Sequence, residues 1–156
     1  MKTIEKKTSK QVSDLIIINN DRYEGYKTAA EETKDADLKA IFAKYSKQSK
    51  KFSEELQALI PDTKYSPEPG ETKNSGKLYR IFMNVKSAIQ GKDRKGVLSS
   101  CEFGEDTANQ TYDEALENQE EFEKNIIEVI RRQKGELQQA HDKIKAMRDT
   151  AQLDGK

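Results

Sequence analysis

The sequence has little of what several common classes of protein require. Its single cysteine, Cys101, excludes an internal disulfide framework and a cysteine-based zinc site. Its single histidine, His141, cannot form a zinc site alone, and we expect it at or beside the surface rather than in a catalytic role. There is no tryptophan, and three prolines interrupt the 156 residues. These shortages are typical of a chain made of long helices.

The charges exclude further classes of function. Lys and Arg together number 28, as do Asp and Glu, and the two signs alternate without a dense basic patch. A surface that follows phosphates is therefore not expected, which argues against nucleic-acid binding. The apolar run from Leu15 to Ile18 has four residues, too few for a signal peptide or a membrane span. We expect a cytoplasmic protein that binds neither nucleic acid nor membrane.

Apolar residues recur at steps of four and three, which is the seam spacing of a helix packed in a bundle. This pattern reconciles a low apolar content of 33% with a folded chain, because each helix needs one apolar stripe. It predicts four long helices over about residues 9–32, 36–60, 93–118 and 120–150. Their stripes are Val12, Ile16, Asn19, Tyr23, Tyr26 and Ala30; Leu38, Phe42, Tyr45, Ser49, Phe52, Leu56 and Leu59; Leu98, Cys101, Glu105, Ala108, Tyr112 and Ala115; and Phe122, Ile126, Val129, Gln133, Glu136, Ala140, Ile144 and Met147.

The segment between the second and third long helices has a different composition. Residues 61–76 contain all three prolines and are predicted to form a loop, and residues 77–90 are predicted to form a further helix. We expect residues 151–156 to fray. Together these elements predict one all-α domain over residues 1–156, an antiparallel four-helix bundle of ferritin-like topology. Its two hairpins are joined by one long crossover that contains its own helix.

Polar residues interrupt the seam near the middle of each long helix. If the four helices are aligned, these residues meet in one central layer, where they must find partners because unpaired buried polar groups are costly. The layer is either a hydrogen-bond network that fixes the register of the helices or a binding site. Tyr26 and Tyr112 stand at matching places in the two hairpins and are natural partners for it. The candidate residues are Asn19, Ser49, Glu105, Gln133, Glu136, Tyr26 and Tyr112.

Two stretches of the chain resemble the bacterial DUF2383 family of four-helix-bundle proteins, which is related to the ferritin-like superfamily. The first is residues 19–26, Asn-Asn-Asp-Arg-Tyr-Glu-Gly-Tyr, and the second is residues 101–106, Cys-Glu-Phe-Gly-Glu-Asp, followed by Tyr112. The resemblance extends over about residues 9–148. It implies a ferritin-like bundle and does not imply a particular activity.

The ligand pattern of di-iron ferritin-like proteins such as rubrerythrin is incomplete here. Those proteins use one Glu on each of two helices and a Glu-x-x-His pair on each of the other two. The matching positions in this chain are Asn19, Glu105, Ser49, Phe52, Gln133 and Glu136. Two of them are carboxylates and none is histidine, so no conventional di-iron site is expected. An atypical iron or manganese site built from Glu105, Glu136, Glu24 and Glu102 stays an alternative.

These observations favour a non-catalytic bundle that works by binding or by self-association, as a homodimer or with a protein partner. The helix at residues 77–90 is expected to cover one side of the bundle. If part of its apolar face stays exposed, that face and the ends of the seams are the expected contact surface, because an exposed apolar patch marks association. No cofactor is expected. Besides the metal-binding alternative, the chain is also compatible with a small-ligand carrier whose cavity lies at the polar layer.

Overall fold

The computed structural model describes residues 2–60, 66–73 and 76–153, with side chains described for residues 8–60, 66–73 and 76–151. Within these residues the chain is helical and contains no strand, which confirms the all-α prediction. A short 3-10 turn, Gln119–Glu121, precedes the last helix. The five α-helices are α1 (Lys2–Glu32), α2 (Ala36–Leu59), α3 (Lys77–Gln90), α4 (Arg94–Leu116) and α5 (Lys124–Leu153).

The helices pack as two sequential pairs with α3 lying across them. α1 packs along α2, and α4 packs along α5. Because three residues separate α1 from α2, these two long helices must run antiparallel. Asp35 stands at the N-cap of α2, but its carboxylate makes no capping bond and instead accepts from Arg94 at the start of α4, at 3.3 Å. Asp93 does cap α4, since it accepts from the backbone amide of Gly96 at 2.9 Å.

Two helix ends differ from the prediction. α1 begins at Lys2 rather than near residue 9, because the polar residues at its start carry no apolar stripe from which a helix could be read. α5 begins four residues later than predicted, after the 3-10 turn, and extends to Leu153. Ala151 is buried against the core, so packing holds the helix beyond the point where fraying was expected. Residues 61–65, 74–75 and 154–156 of the predicted loop and tail lie outside the described residues.

The predicted seam of α4 is confirmed, and so is that of α2 except for Leu59, which is half-buried. The predicted seams of α1 and α5 need correction. Tyr23 is half-buried, and the neighbouring Arg22 is fully buried in its place. In α5, Ile130 and Leu137 are buried in place of the predicted Val129 and Glu136, which are half-buried. Both differences are shifts by one residue, which turn the seam by about 100° around the helix.

α3 contacts α1 and α4 through glycines on both helices. A Cβ atom built on Gly25 would lie 2.2 Å from Cγ of Phe82, and one on Gly104 would lie 3.3 Å from Cδ1 of Leu78. The absence of a side chain at Gly25 therefore lets Phe82 reach the backbone of α1. With α3 in place, the core forms two apolar clusters, one around Tyr26, Phe42 and Leu98 and one around Val12, Phe52 and Tyr112.

Candidate functional site

The centre of the bundle holds a buried ion pair that the sequence did not reveal. Arg22 of α1 and Glu105 of α4 both have fully buried side chains. Arg22 donates from Nε to Oε2 of Glu105 at 2.8 Å and from Nη2 to Oε1 at 2.6 Å, which is the bidentate arrangement that suits a guanidinium. Its remaining nitrogen, Nη1, donates to Oγ of Ser49 at 2.8 Å and to Oε1 of Gln48 at 2.9 Å. We call Arg22, Glu105, Ser49 and Gln48 the charged cluster.

The surroundings of Arg22 keep its guanidinium protonated. Burial alone would lower the pKa of Arg22, but the charge of Glu105 and its hydrogen bonds outweigh burial, and the net pKa is raised. The guanidinium carbon lies 5.3 Å from the ring centre of Tyr26 and 5.5 Å from that of Tyr45, within the range of cation–π contacts. Burial, reinforced by the Glu105 charge, raises the pKa of Tyr45 to about 12, so its phenol stays neutral.

A second set of hydrogen bonds lies beside the charged cluster. Asn19 donates from Nδ2 to the hydroxyl of Tyr112 at 2.8 Å, and that hydroxyl donates to Oε1 of Gln133 at 2.6 Å. Gln133 in turn donates to Oε1 of Glu55 at 3.1 Å and to the carbonyl of Phe52 at 3.2 Å. We call Asn19, Tyr112, Gln133 and Glu55 the amide–tyrosine chain. It connects α1, α4, α5 and α2 at one level of the bundle.

The structure brings together five of the seven predicted layer residues: Asn19, Tyr112 and Gln133 in the amide–tyrosine chain, and Ser49 and Glu105 in the charged cluster. Tyr26 is buried beside Arg22, and its hydroxyl has no hydrogen-bond partner among the described residues. Glu136 does not join either set, because its half-exposed side chain pairs with Arg132 at 3.2 Å on the surface of α5.

The four carboxylates of the alternative metal site lie in different surroundings. Both oxygens of Glu105 accept from Arg22. Glu136 pairs with Arg132, and Glu24 is exposed beside a hollow between α1 and α3. Glu102 faces α5, where it contacts Arg148 and His141. Among the described side chains, the group of three or more potential ligand atoms lying close together is instead Glu102, Asp106 and His141.

Most donors and acceptors of the buried layer are paired, although Oδ1 of Asn19 and the hydroxyl of Tyr26 have no hydrogen-bond partner among the described residues. Asn19, Ser49, Tyr26, Tyr112 and Glu105, which would line the cavity of a ligand carrier, are each at most 1% exposed. Ser49 accepts from Arg22 and donates to the carbonyl of Tyr45 at 2.7 Å, so both functions of its hydroxyl are occupied. Hydrogen bonds of this kind between buried side chains of different helices are suited to fixing the register of the helices.

A signal for Arg22 was present in the sequence. Arg22 lies three residues after Asn19 and four before Tyr26, so it fits the same four-three spacing that was assigned through Tyr23. Arginine is rarely fully buried unless it is paired, which favoured the tyrosine in the seam. A buried Glu105 without a counter-ion is costly, so the predicted burial of Glu105 was itself a signal for a cation on a facing helix.

The helices and the buried polar layer define the class of this protein: an all-α bundle whose core is crossed by an ion pair and a hydrogen-bonded chain. The family model described as a domain of unknown function, DUF2383, matches residues 7–118, and the chain belongs to this family. The predicted resemblance to DUF2383 is thereby confirmed. The matched residues run from α1 to the end of α4 and stop before α5. No curated protein matches the chain.

Within the part of the chain that the structure describes, no helix combines the length and apolar character needed to cross a membrane.

Proposed function

We propose that this protein is a non-catalytic helical bundle that functions by self-association, and that α3 with the adjoining face of α4 forms the contact surface. The observation that carries the proposal is the position of the large apolar side chains that remain exposed. Among the described side chains these are Tyr79 at 43%, Met83 at 45% and Phe103 at 64%. Tyr79 and Met83 border one flank of α3 and Phe103 borders the other, and solvent-exposed apolar groups gathered around one helix are typical of an association surface.

Hollows lie next to these projecting side chains on both sides of α3. One, of about 320 Å³, lies between α1 and α3 and includes Gly25, Ala29, Tyr79 and Met83 in its lining. The other, of about 210 Å³, lies between α3 and α4 beside Phe103. A surface that carries both projections and hollows can pair with a second copy of itself about a two-fold axis, each copy filling the hollows of the other.

The charge of the chain supports a second copy as the occupant. With 28 basic and 28 acidic residues there is no net charge, so two copies do not repel each other. The contact surface itself carries both signs, with Lys77 and Lys86 on α3 and Asp106 and Glu24 on the helices beside it. Opposite charges at the rim of an apolar patch favour a defined register between two copies.

The buried layer supports a role at the surface rather than in the core. Glu105 is already neutralised by Arg22, and the five residues that would line a ligand cavity are each at most 1% exposed. A core of this kind provides rigidity to the face that associates.

Sedimentation velocity of the full chain from about 5 to 500 μM tests the proposal, a range in which transient homodimers dissociate. We expect a concentration-dependent dimer that is lost in the Met83→Glu and Phe103→Glu variants. Ala58→Glu is the matched control, since it places the same charge on an exposed position of α2 away from this surface. A chain that stays monomeric throughout the range, or a dimer unaffected by both substitutions, contradicts the proposal.

A further inference from the structure

A cluster of metal-ligating side chains lies on the surface between α4 and α5, away from the buried layer. Glu102 and Asp106 are four residues apart on α4 and therefore share one face of that helix. His141 reaches them from α5. One ligand atom from each of the three residues lies within 4.8 Å of the others. We propose that Glu102, Asp106 and His141 form a site for a divalent transition-metal ion, with zinc as the preferred ion.

The distances between the ligand atoms fit a tetrahedral ion. Nε2 of His141 lies 2.9 Å from Oδ1 of Asp106 and 3.5 Å from Oε2 of Glu102. Zinc binds nitrogen and carboxylate oxygen at about 2.0–2.2 Å, so neighbouring ligands of a tetrahedral zinc are about 3.4 Å apart. The two observed distances bracket this value. The third pair, Glu102 and Asp106, lies within 4.8 Å, and the exposed side chain of Asp106 can adjust to admit the ion.

A residue outside the three ligands orients the imidazole for this role. Oδ1 of Asp142 lies 3.1 Å from Nδ1 of His141. A carboxylate on one ring nitrogen holds the proton there and leaves the lone pair of the other nitrogen for the metal, which is the usual support of a metal-binding histidine. Here the supported nitrogen is Nδ1, and the one left to the metal, Nε2, is the nitrogen that faces Glu102 and Asp106.

Glu102 is also held in place by a second contact. Arg148 of α5 forms an ion pair with Oε1 of Glu102, which leaves Oε2 toward His141. The side chains of Glu102 and His141 are both largely buried, so neither can turn freely away from the site. The preference for zinc over magnesium or calcium follows from the imidazole, because those two ions favour a shell of oxygen ligands alone.

The test is a zinc titration of the untagged chain, because a polyhistidine tag would itself bind zinc. His141 is the single histidine, so the imidazole nitrogen resonances in a long-range nitrogen–proton NMR spectrum belong to it alone. We expect zinc chloride to shift the Nε2 resonance and to saturate at one ion per chain in calorimetry. His141→Ala should abolish this binding, and Asp142→Asn should weaken it about ten-fold.

Asp106→Asn and Asp113→Asn form the decisive matched pair. Each aspartate is more than half exposed on α4 and pairs with a basic side chain of α5, Asp106 with His141 and Asp113 with Lys134. We expect Asp106→Asn to weaken zinc binding by at least ten-fold and Asp113→Asn to leave it unchanged. No shift of the imidazole at millimolar zinc, or equal weakening by both substitutions, would overturn the proposal and leave an ion-pair network only.

Discussion

Replacing Glu105 with leucine tests the role of the buried layer most directly. If Glu105 merely interrupted an apolar seam, leucine would raise the melting temperature, because an apolar core is often more stable than a polar one. The structure predicts the opposite. Arg22 directs Nε and Nη2 to Glu105 and has Ser49 and Gln48, both neutral, as its other partners. Removing the carboxylate therefore leaves a fully buried guanidinium without a counter-charge.

The expected cost follows from that geometry. Breaking one side of a buried ion pair destabilises a protein by about 3–5 kcal/mol, against a total stability of about 5–15 kcal/mol. For a chain of this size the melting temperature should fall by roughly 6–20 °C. Thermal and urea unfolding followed by circular dichroism at neutral pH would measure the loss. Glu136→Gln is the control, since it breaks an exposed pair and should cost less than about 1 kcal/mol.

A double variant separates the cost of an unpaired charge from the loss of packing. In Arg22→Met with Glu105→Leu, no charge remains in the cluster, and the hydroxyl of Ser49 keeps its bond to the carbonyl of Tyr45. We expect the double variant to recover most of the stability lost by Glu105→Leu, because apolar replacement of a whole buried pair is often neutral or stabilising. A Glu105→Leu protein that melts at or above the wild-type temperature would refute the reasoning.

Two further predictions concern α3 and the segment before it. Gly25→Ala should destabilise the protein by about 1–3 kcal/mol, because the new Cβ would lie 2.2 Å from the Phe82 ring. Gly135→Ala should instead stabilise it by about 0.5–1 kcal/mol, because a Cβ at that position would have no atom within 4 Å. Urea denaturation measures both changes. Burial raises the pKa of Asp21 to about 6, although the Lys73 amide that donates to it lowers the pKa. The folded state therefore binds the carboxyl proton of Asp21 more tightly than the unfolded state does, so the contribution of Asp21 to stability declines as pH rises from about 4 to 6. Asp21→Asn should remove that decline, which urea titrations across this pH range would measure.

The sequence was sufficient to predict the helices and part of the buried polar layer, because the spacing of apolar residues has a direct structural meaning. Seam spacing reports which side of a helix is buried, and Asn19, Ser49, Glu105 and Gln133 are all buried as the spacing indicated. Spacing does not report which neighbouring position is buried when two candidates differ by one residue. That ambiguity is why Glu136 was placed in the layer although it lies at the surface.

Partners across the bundle could not be read from spacing either. The pairing of Arg22 with Glu105 depends on the relative heights of α1 and α4, and the sequence gives no distance between them. The same holds for His141, whose surroundings on α5 suggest a surface residue until α4 brings Glu102 and Asp106 next to it. Which residues pair across the bundle is determined by contacts between residues far apart in sequence, and the spacing of residues within one helix does not reveal those contacts.

One turn of α4 serves three different environments because successive residues of a helix are turned by about 100°. Glu105 faces the core, Phe103 faces solvent beside α3, and Glu102 and Asp106 face α5. The proposed dimer surface and the proposed metal site therefore meet on this turn, where Asp106 borders both. Met83 lies in the other hollow, on α3, and His141 lies on α5, so Met83→Glu should abolish dimerisation without changing zinc binding, and His141→Ala should do the reverse. Loss of both properties in either variant would instead indicate that the bundle itself has been disturbed, which circular dichroism and thermal unfolding would reveal.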